Sequence, residues 1–422
     1  MWLTRPDPAD ADQTAVTTVP IERRPTVSDH HPPQPMNQKL ITPGVLVLLI
    51  LTGIGVCFAI WRFIFGIGSI TNLDNQHPWG IWIAIDVATG VALAAGGFTT
   101  AALAHIFHRE HYHAVVRPAL LTAMLGYTFV GLGLMIDLGR FYNIWHPIVP
   151  AMWSGHSVLF EVGLCVMCYL TVLYIEFLPI VCERLEKEER WPRVRVFCMK
   201  LNGLVGRIMF FFIIAGVVLS CLHQSSLGNL MVLAPSKMHD LWDTPILSLL
   251  FLLSAFAVGF PMVIVESMVA SRAFGLKPEM HVLSPLAKFV PVILGIYLAF
   301  KVGDLAVREK LHLLAEGSPQ ATMWVIEVVI GVVVPFVLLL MRRVRNSPSG
   351  LFAAATMVVV GVAINRINVF LVAYQPLYPE KTYFPSIGEV AVTVGLISLL
   401  IFCYRVIVNY FPVISHPGGE VA

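Results

Sequence analysis

Beyond residue 40 the chain is a succession of apolar runs separated by short polar connections. Ten runs reach the length of roughly 20 residues that a membrane-crossing helix takes. They fall at about 42–68, 79–104, 118–139, 152–180, 204–222, 244–271, 286–303, 322–341, 350–372 and 388–411. A backbone in hydrocarbon must satisfy its own hydrogen bonds, so runs of this length predict an all-α integral membrane protein of ten helices, spanning residues 41–412. Residues 1–40 differ, with seven prolines among polar residues and no apolar core before Ile41. They read as a disordered tail and not as a cleaved signal, and residues 413–422 read as a C-terminal tail.

Lysine and arginine sort by connection. The N-terminal tail, the 105–117, 181–203, 272–288 and 342–349 connections and Arg405 together carry nineteen, while the connections on the other side carry six. Basic residues stay in the cytoplasm, so both termini are expected there, in a bacterial cytoplasmic (inner) membrane, with the 140–151 connection facing outward. The 301–321 connection fits least well, although Asp304, Glu309 and Glu316 partly offset its three basic residues. Composition agrees with a membrane protein: 57% of residues are hydrophobic and 13% charged, against about 25% charged in soluble domains. A net charge of +2 argues against a nucleic-acid partner.

The stretch Gly131–Leu164 joins two apolar runs and gathers Asp137, Arg140, His146, His156 and Glu161 near their facing ends. Ionisable groups at a membrane boundary are costly, which points to use. The expected outer half also collects Asp86, His223 with Gln224, Glu327, Arg366 with Asn365 and Asn368, and Glu389. The inner half has fewer: Glu176, Arg207, Glu266 and Arg405, which could together carry protons. A quinone needs hydrogen-bond donors at its carbonyls, a group that gives or takes a proton, and an apolar approach for its tail. His156 and Glu161 are the expected proton-exchanging pair, with Asp137 as relay. Trp79 and Trp82 would add aromatic surface at the start of the second helix. The plainer reading of these tryptophans is an interfacial belt, and of the polar residues a network that holds helices together.

Other motifs carry less. Cys165 and Cys168 lie inside an apolar run, where thiols act as small packing residues, and no metal site is expected. His105, His108, His111 and His113 fall on a cytoplasmic connection and read as solvated. A two-haem stack would need paired histidines in each leaflet, and the inner half offers only His105. One outer haem between His156 and His223 stays open on spacing; on balance no haem is expected. Finally, Asp137, Arg140, Trp153 and Glu161 are echoed by Asp304, Arg308, Trp324 and Glu327 about 166 residues later. A parallel duplication about the membrane normal would place two four-helix bundles, helices 2–5 (about 79–222) and 6–9 (about 244–372), between flanking helices 1 and 10.

The segments PWGIWIAIDVATGVALAAGGF (78–98), GLMIDLGR (133–140), HSVLFEVGLCVM (156–167), HQSSLGNLM (223–231) and YFPSIGE (383–389) together resemble the polysulfide reductase NrfD family, in particular its HybB-type branch. That branch supplies the membrane subunit of nickel-iron hydrogenases. The resemblance implies two four-helix bundles and a subunit without a redox cofactor of its own. It implies an outer ferredoxin-like iron-sulfur partner, hydrogenase large and small subunits, and menaquinone as substrate on the outer side. Iron-sulfur clusters would sit on the partner only, and the chain alone would have no hydrogenase activity. The family's quinone pocket lies in the first bundle, so the implied candidates are His77, Trp79, Asp86, Asp137, Arg140, His156, Glu161 and His223. A proton translocator is the alternative.

Overall fold

A computed structural model describes residues 33–106, 112–378 and 381–415. The ten runs all form helices long and apolar enough to cross a membrane: α1 (Pro43–Phe65), α2 (Trp82–Ala104), α3 (Ala114–Asp137), α4 (Val158–Glu186), α5 (Pro192–Val232), α6 (Leu247–Phe274), α7 (Met280–Val307), α8 (Pro319–Leu340), α9 (Pro348–Val372) and α10 (Ile387–Tyr410). Among the described residues there is no strand, only two isolated bridges, Pro33 with Ser415 and Met238 with Tyr374. The remainder of the N-terminal tail, His108 and His111, and the last residues of the C-terminal tail lie outside the described residues.

Local chemistry explains the helix starts. Thr42, Ser157, Ser318, Ser347 and Ser386 each accept a backbone N–H in the first turn of α1, α4, α8, α9 and α10. Proline at the first turn of α1, α8 and α9 fits because its missing N–H would have had no partner there. The α5 helix is far longer than its apolar run: 41 residues, or about 62 Å at 1.5 Å per residue, against a hydrocarbon core of about 30 Å. Hydropathy marks only the part that matches the hydrocarbon, and the charged Arg193–Lys200 turns continue the helix because nothing after Pro192 breaks it.

Packing follows burial. Most of α2 is buried, whereas α1, α4, α5 and α10 face largely outward. Small residues let helices approach closely. A Cβ on Gly55 of α1 would lie 2.7 Å from the Gly395 Cα of α10, and one on Gly361 of α9 would lie 2.1 Å from the Gly331 Cα of α8. Gly96 of α2 similarly fits against Val263 and the Gly259 carbonyl of α6. Among the described residues, four stretches adopt wider π-type turns: Trp82–Thr89, Ala102–Ile106, Val329–Val333 and Asn368–Val372. Such turns redirect side chains and often accompany function.

The connections 66–81, 138–157, 233–246, 308–318 and 373–386 share one end of the bundle, called here the site end. At the opposite end, residues 34–38 run along the C-terminal end of α10. Gln34 N–H donates to Ile414 O, Met36 N–H to Val408 O, and the Gln38 side chain to Phe274 O.

Gly361→Val should lower the melting temperature of the detergent-purified chain, since overpacking costs about 1–3 kcal/mol. Gly163→Ala, with open space at its Cβ, should leave it unchanged.

Candidate functional site

Two polar clusters lie toward the site end of the first half. The first begins at Glu161, three residues beyond the start of α4. Its Oε1 accepts from the Ser226 hydroxyl of α5 at 2.5 Å. Glu161 is exposed and Ser226 is buried, so the carboxylate sits on a shoulder between the interior and the surface of the bundle. One turn deeper, His223 is fully buried. Its Nδ1 contacts Leu219 O at 2.7 Å. A carbonyl only accepts, so Nδ1 carries the proton, and in the neutral ring Nε2 accepts from the Tyr127 hydroxyl of α3. Tyr169 of α4 closes the group, its ring 4.7 Å from that of Tyr127 and 5.4 Å from His223. Gln224 donates to Val91 O of α2 at 2.8 Å, tying α5 to the buried helix. Ser226, His223, Ser220 and Gly216 share one face of α5, and Gly216 abuts Glu176. The result is a polar column leading inward from Glu161.

The second cluster joins α1, α2, α3 and α10. Asp86 Oδ2 accepts from the Thr393 hydroxyl at 2.8 Å. Gly133 leaves room for it: a Cβ there would lie 3.1 Å from the Asp86 Cβ. Asp137 Oδ1 is buried with no hydrogen-bond partner. Nearby, the buried Arg62 guanidinium donates from Nε to Ile136 O at 2.6 Å and from Nη2 to Leu138 O, capping the last carbonyls of α3. Glu389 is consumed by structure. Its carboxylate accepts from the Tyr383 hydroxyl at 2.6 Å and from the Ser386 and Asn72 N–H groups at 2.8 and 3.1 Å. Trp82 donates its indole N–H to Glu389 O at 3.0 Å.

The other expected residues spread out. His77 is buried beside Asp74, Nδ1 to Oδ1 at 3.2 Å, and stacks on Tyr383. Trp79 packs edge-on against Phe370. Arg140 and His156 are exposed. Glu266 of α6 faces the Thr122 and Tyr404 hydroxyls, yet its buried oxygens have no donor at hydrogen-bond geometry. Arg207 is exposed, and Arg405 holds the tail by donating to Lys39 O and Leu40 O, so neither joins Glu176 or Glu266. Sequence reasoning passed over Ser226, Tyr127, Tyr169, Arg62, Tyr383 and Thr393. Arg62 alone carried a readable signal, being a lone arginine inside an apolar run.

Comparison with known proteins gives three findings. The family model "Polysulphide reductase, NrfD" matches residues 69–377. The chain is 36% identical over 387 residues, 91% of it and 95% of the relative, to the "Probable Ni/Fe-hydrogenase 2 b-type cytochrome subunit" of Escherichia coli strain K12. It is 26% identical over 372 residues, 82% of it and 86% of the relative, to the "Menaquinone reductase, integral membrane subunit" of Nitratidesulfovibrio vulgaris strain Hildenborough.

The Escherichia coli name corrects one expectation. A b-type cytochrome carries haem, so the exclusion of haem drawn from the sparse histidines does not stand. That exclusion rested on the sparse histidine pairs and on the lack of a redox cofactor that the resemblance implied, and both give way to this name; haem iron also takes axial residues other than histidine. The described residues do not offer a ready histidine pair: both His223 nitrogens are engaged, His156 is exposed, and His77 turns Nδ1 to Asp74.

The turn at the start of α2 has a checkable pH dependence. The His77 N–H, and then the Gln76 N–H, donate to Asp74 and hold its carboxyl below the usual range. A lowered pKa means that the stabilisation is present above the ordinary carboxylate value and lost as pH falls through the lowered one. Hydrogen exchange at the His77 amide should therefore be slow at neutral pH and accelerate, relative to its intrinsic rate, only below about pH 4; Asp74→Ala should remove that dependence.

Proposed function

The chain belongs to the polysulphide reductase NrfD family, and on that footing we propose that this membrane subunit of a respiratory oxidoreductase is the menaquinone-reactive subunit of a nickel-iron hydrogenase complex. The observation that carries the reading is the Glu161–Ser226 hydrogen bond on an exposed shoulder of the bundle, backed by Tyr127, His223 and Tyr169.

Reduction of a quinone consumes two electrons and two protons. In this reading the electrons come from hydrogen oxidised on partner subunits, through an iron-sulfur subunit seated on the outer face. The quinone ring lies against the shoulder, where the Ser226 hydroxyl orients the Glu161 carboxyl. Glu161 gives one proton to the nearer quinone oxygen and is reprotonated from the exposed side, and the second proton reaches the far oxygen from the same outer solvent. Positioned general acids contribute about 10²–10⁴-fold. His223 is a positioning residue: it holds the Tyr127 hydroxyl and with it the α3–α5 contact. The ring's apolar tail leaves through the surface around Leu159 and Leu222. Asp86 and Asp137 form a second polar wall, and Asp137 Oδ1 is free to bind a donor. The site end faces outward, both termini lie in the cytoplasm of a bacterial inner membrane, and α2–α5 and α6–α9 make up two bundles.

A second reading, proton translocation coupled to this chemistry, is favoured by Glu266, whose buried oxygens have no donor at hydrogen-bond geometry.

In the purified complex, Glu161→Gln should lower hydrogen-to-menaquinone activity by at least about 10²-fold, while dye-coupled hydrogen oxidation persists; loss of both activities or of neither overturns the reading. Glu266→Gln should leave quinone reduction intact and abolish proton uptake in proteoliposomes, and retained uptake would remove the second reading.

A further inference from the structure

The second half of the molecule holds a buried charge cluster that the quinone site does not use. Lys301 of α7 and Glu327 of α8 form an ion pair with both side chains almost wholly buried. Glu327 also accepts from Asn365 and Asn368 of α9, each at 2.8 Å, and from the Trp242 indole at 3.3 Å. Beside it, the fully buried Arg366 stacks on the Phe251 ring at 3.6 Å, and donates to Asn365 Oδ1 at 2.7 Å and to the Ser254 hydroxyl at 2.9 Å. Lys301 thus pairs with the buried carboxylate directly, and Arg366 reaches it only through Asn365. The next acid outward is Asp304, three residues along α7 from Lys301 and on the same face, where it binds Thr244 at 2.8 Å and Arg308 at 2.8 Å.

Charges inside a membrane protein are costly, and a static pair of this kind could often be replaced by apolar residues at no loss. Three features go beyond a static pair. Two narrow clefts meet at it: the one toward the site end is lined by Trp242, Thr244, Lys301 and Asp304, the deeper one by Ser254, Glu327, Gly331 and Gly361, and Tyr297 and Asn365 line both. Each has room for little more than a water molecule, which admits protons and water and excludes a quinone ring. Two polar atoms at the pair, Arg366 Nε and Asn368 Oδ1, are buried without partners. And the π-type turns Val329–Val333 and Asn368–Val372 begin directly beside Glu327 and Arg366.

We propose that Lys301 and Glu327 form a proton-exchange site that separates the two clefts, with Lys301 moving between Glu327 and Asp304. When a proton from the deeper cleft neutralises Glu327, Lys301 is released and reaches outward to Asp304. When Lys301 returns, Glu327 gives its proton up to the outer cleft. Tyr297, Arg366 and Asp304 are the other titratable or charged groups facing the pair. No electron moves, so the proposal stands or falls independently of the quinone site.

The test uses the full wild-type chain in lipid vesicles without partner or quinone. Dicyclohexylcarbodiimide reacts with protonated carboxyls in apolar surroundings, and modification of Glu327 is read by peptide mass spectrometry. Labelling should rise several-fold as pH falls from about 8 to about 6, and Asp304→Asn, which removes the outward acceptor, should reduce it several-fold. Absent labelling, or labelling equal at every pH, means a static structural pair and overturns the proposal. So does unchanged labelling in a folded Asp304→Asn chain, and should that variant not fold, the wild-type pH series decides alone.

Discussion

A polar group in hydrocarbon has no water to turn to, and the arrangement of this chain depends on that constraint. Partners must come from other helices, and other helices must come close. The glycine contacts between α1 and α10 and between α8 and α9 supply the approach, and the polar contacts are built around it. Gly55 and Gly395 bring α1 against α10, and toward the site end of the same pair Arg62 reaches the last carbonyls of α3. Gly331 and Gly361 bring α8 against α9, and one turn away Asn365 and Asn368 converge on Glu327. Packing and electrostatics are therefore one arrangement: separating the glycines would strand the charges.

The same constraint ranks the carboxylates. Glu389 accepts from a tyrosine hydroxyl and two backbone N–H groups within its own end of the fold, with no cation paired to it, and so acts as a structural joint. Asp86 has one hydroxyl, Glu161 one hydroxyl and an exposed flank, and Asp137 leaves an oxygen without a donor. A group whose hydrogen bonds are incomplete in the resting protein can complete them with a substrate. That is why Glu161 and Asp137, and not the more deeply buried Glu389, are the natural faces of a binding site. Glu327 sharpens the contrast: Glu161 meets a serine on an exposed shoulder, whereas Glu327 meets a lysine, two asparagines and an indole inside the protein.

The fold was legible in the sequence because the membrane imposes one signal on every crossing helix, its apolar length. All ten spans could be read this way, and only their ends shifted, most at α5, where the helix outruns the hydrocarbon. The site was less legible for the opposite reason. Which groups meet depends on helix rotation and register, which apolar length does not encode. Asp86 and Asp137 came together with a threonine and an arginine that carried no motif, and Ser226 and Tyr127 look like ordinary helix residues until α3, α4 and α5 are assembled. Lys301 was counted with a connection because it lies near the end of its apolar run; its burial follows from α7 continuing to Val307.

The polarity of the column constrains how protons can use it. His223 donates through Nδ1 to a backbone carbonyl, which cannot pass a proton on, and accepts at Nε2 from Tyr127. In that state the imidazole ends a hydrogen-bond chain and does not transmit one. A proton moving along the column past His223 would need the ring to turn or Leu219 O to be released, and the ring is held on one side by Tyr169 and on another by Tyr127. Glu161 has no such obstacle, since its single donor is a rotatable hydroxyl and its flank is open. Proton exchange at Glu161 with the site end is therefore unobstructed, whereas any path along the column stops at His223.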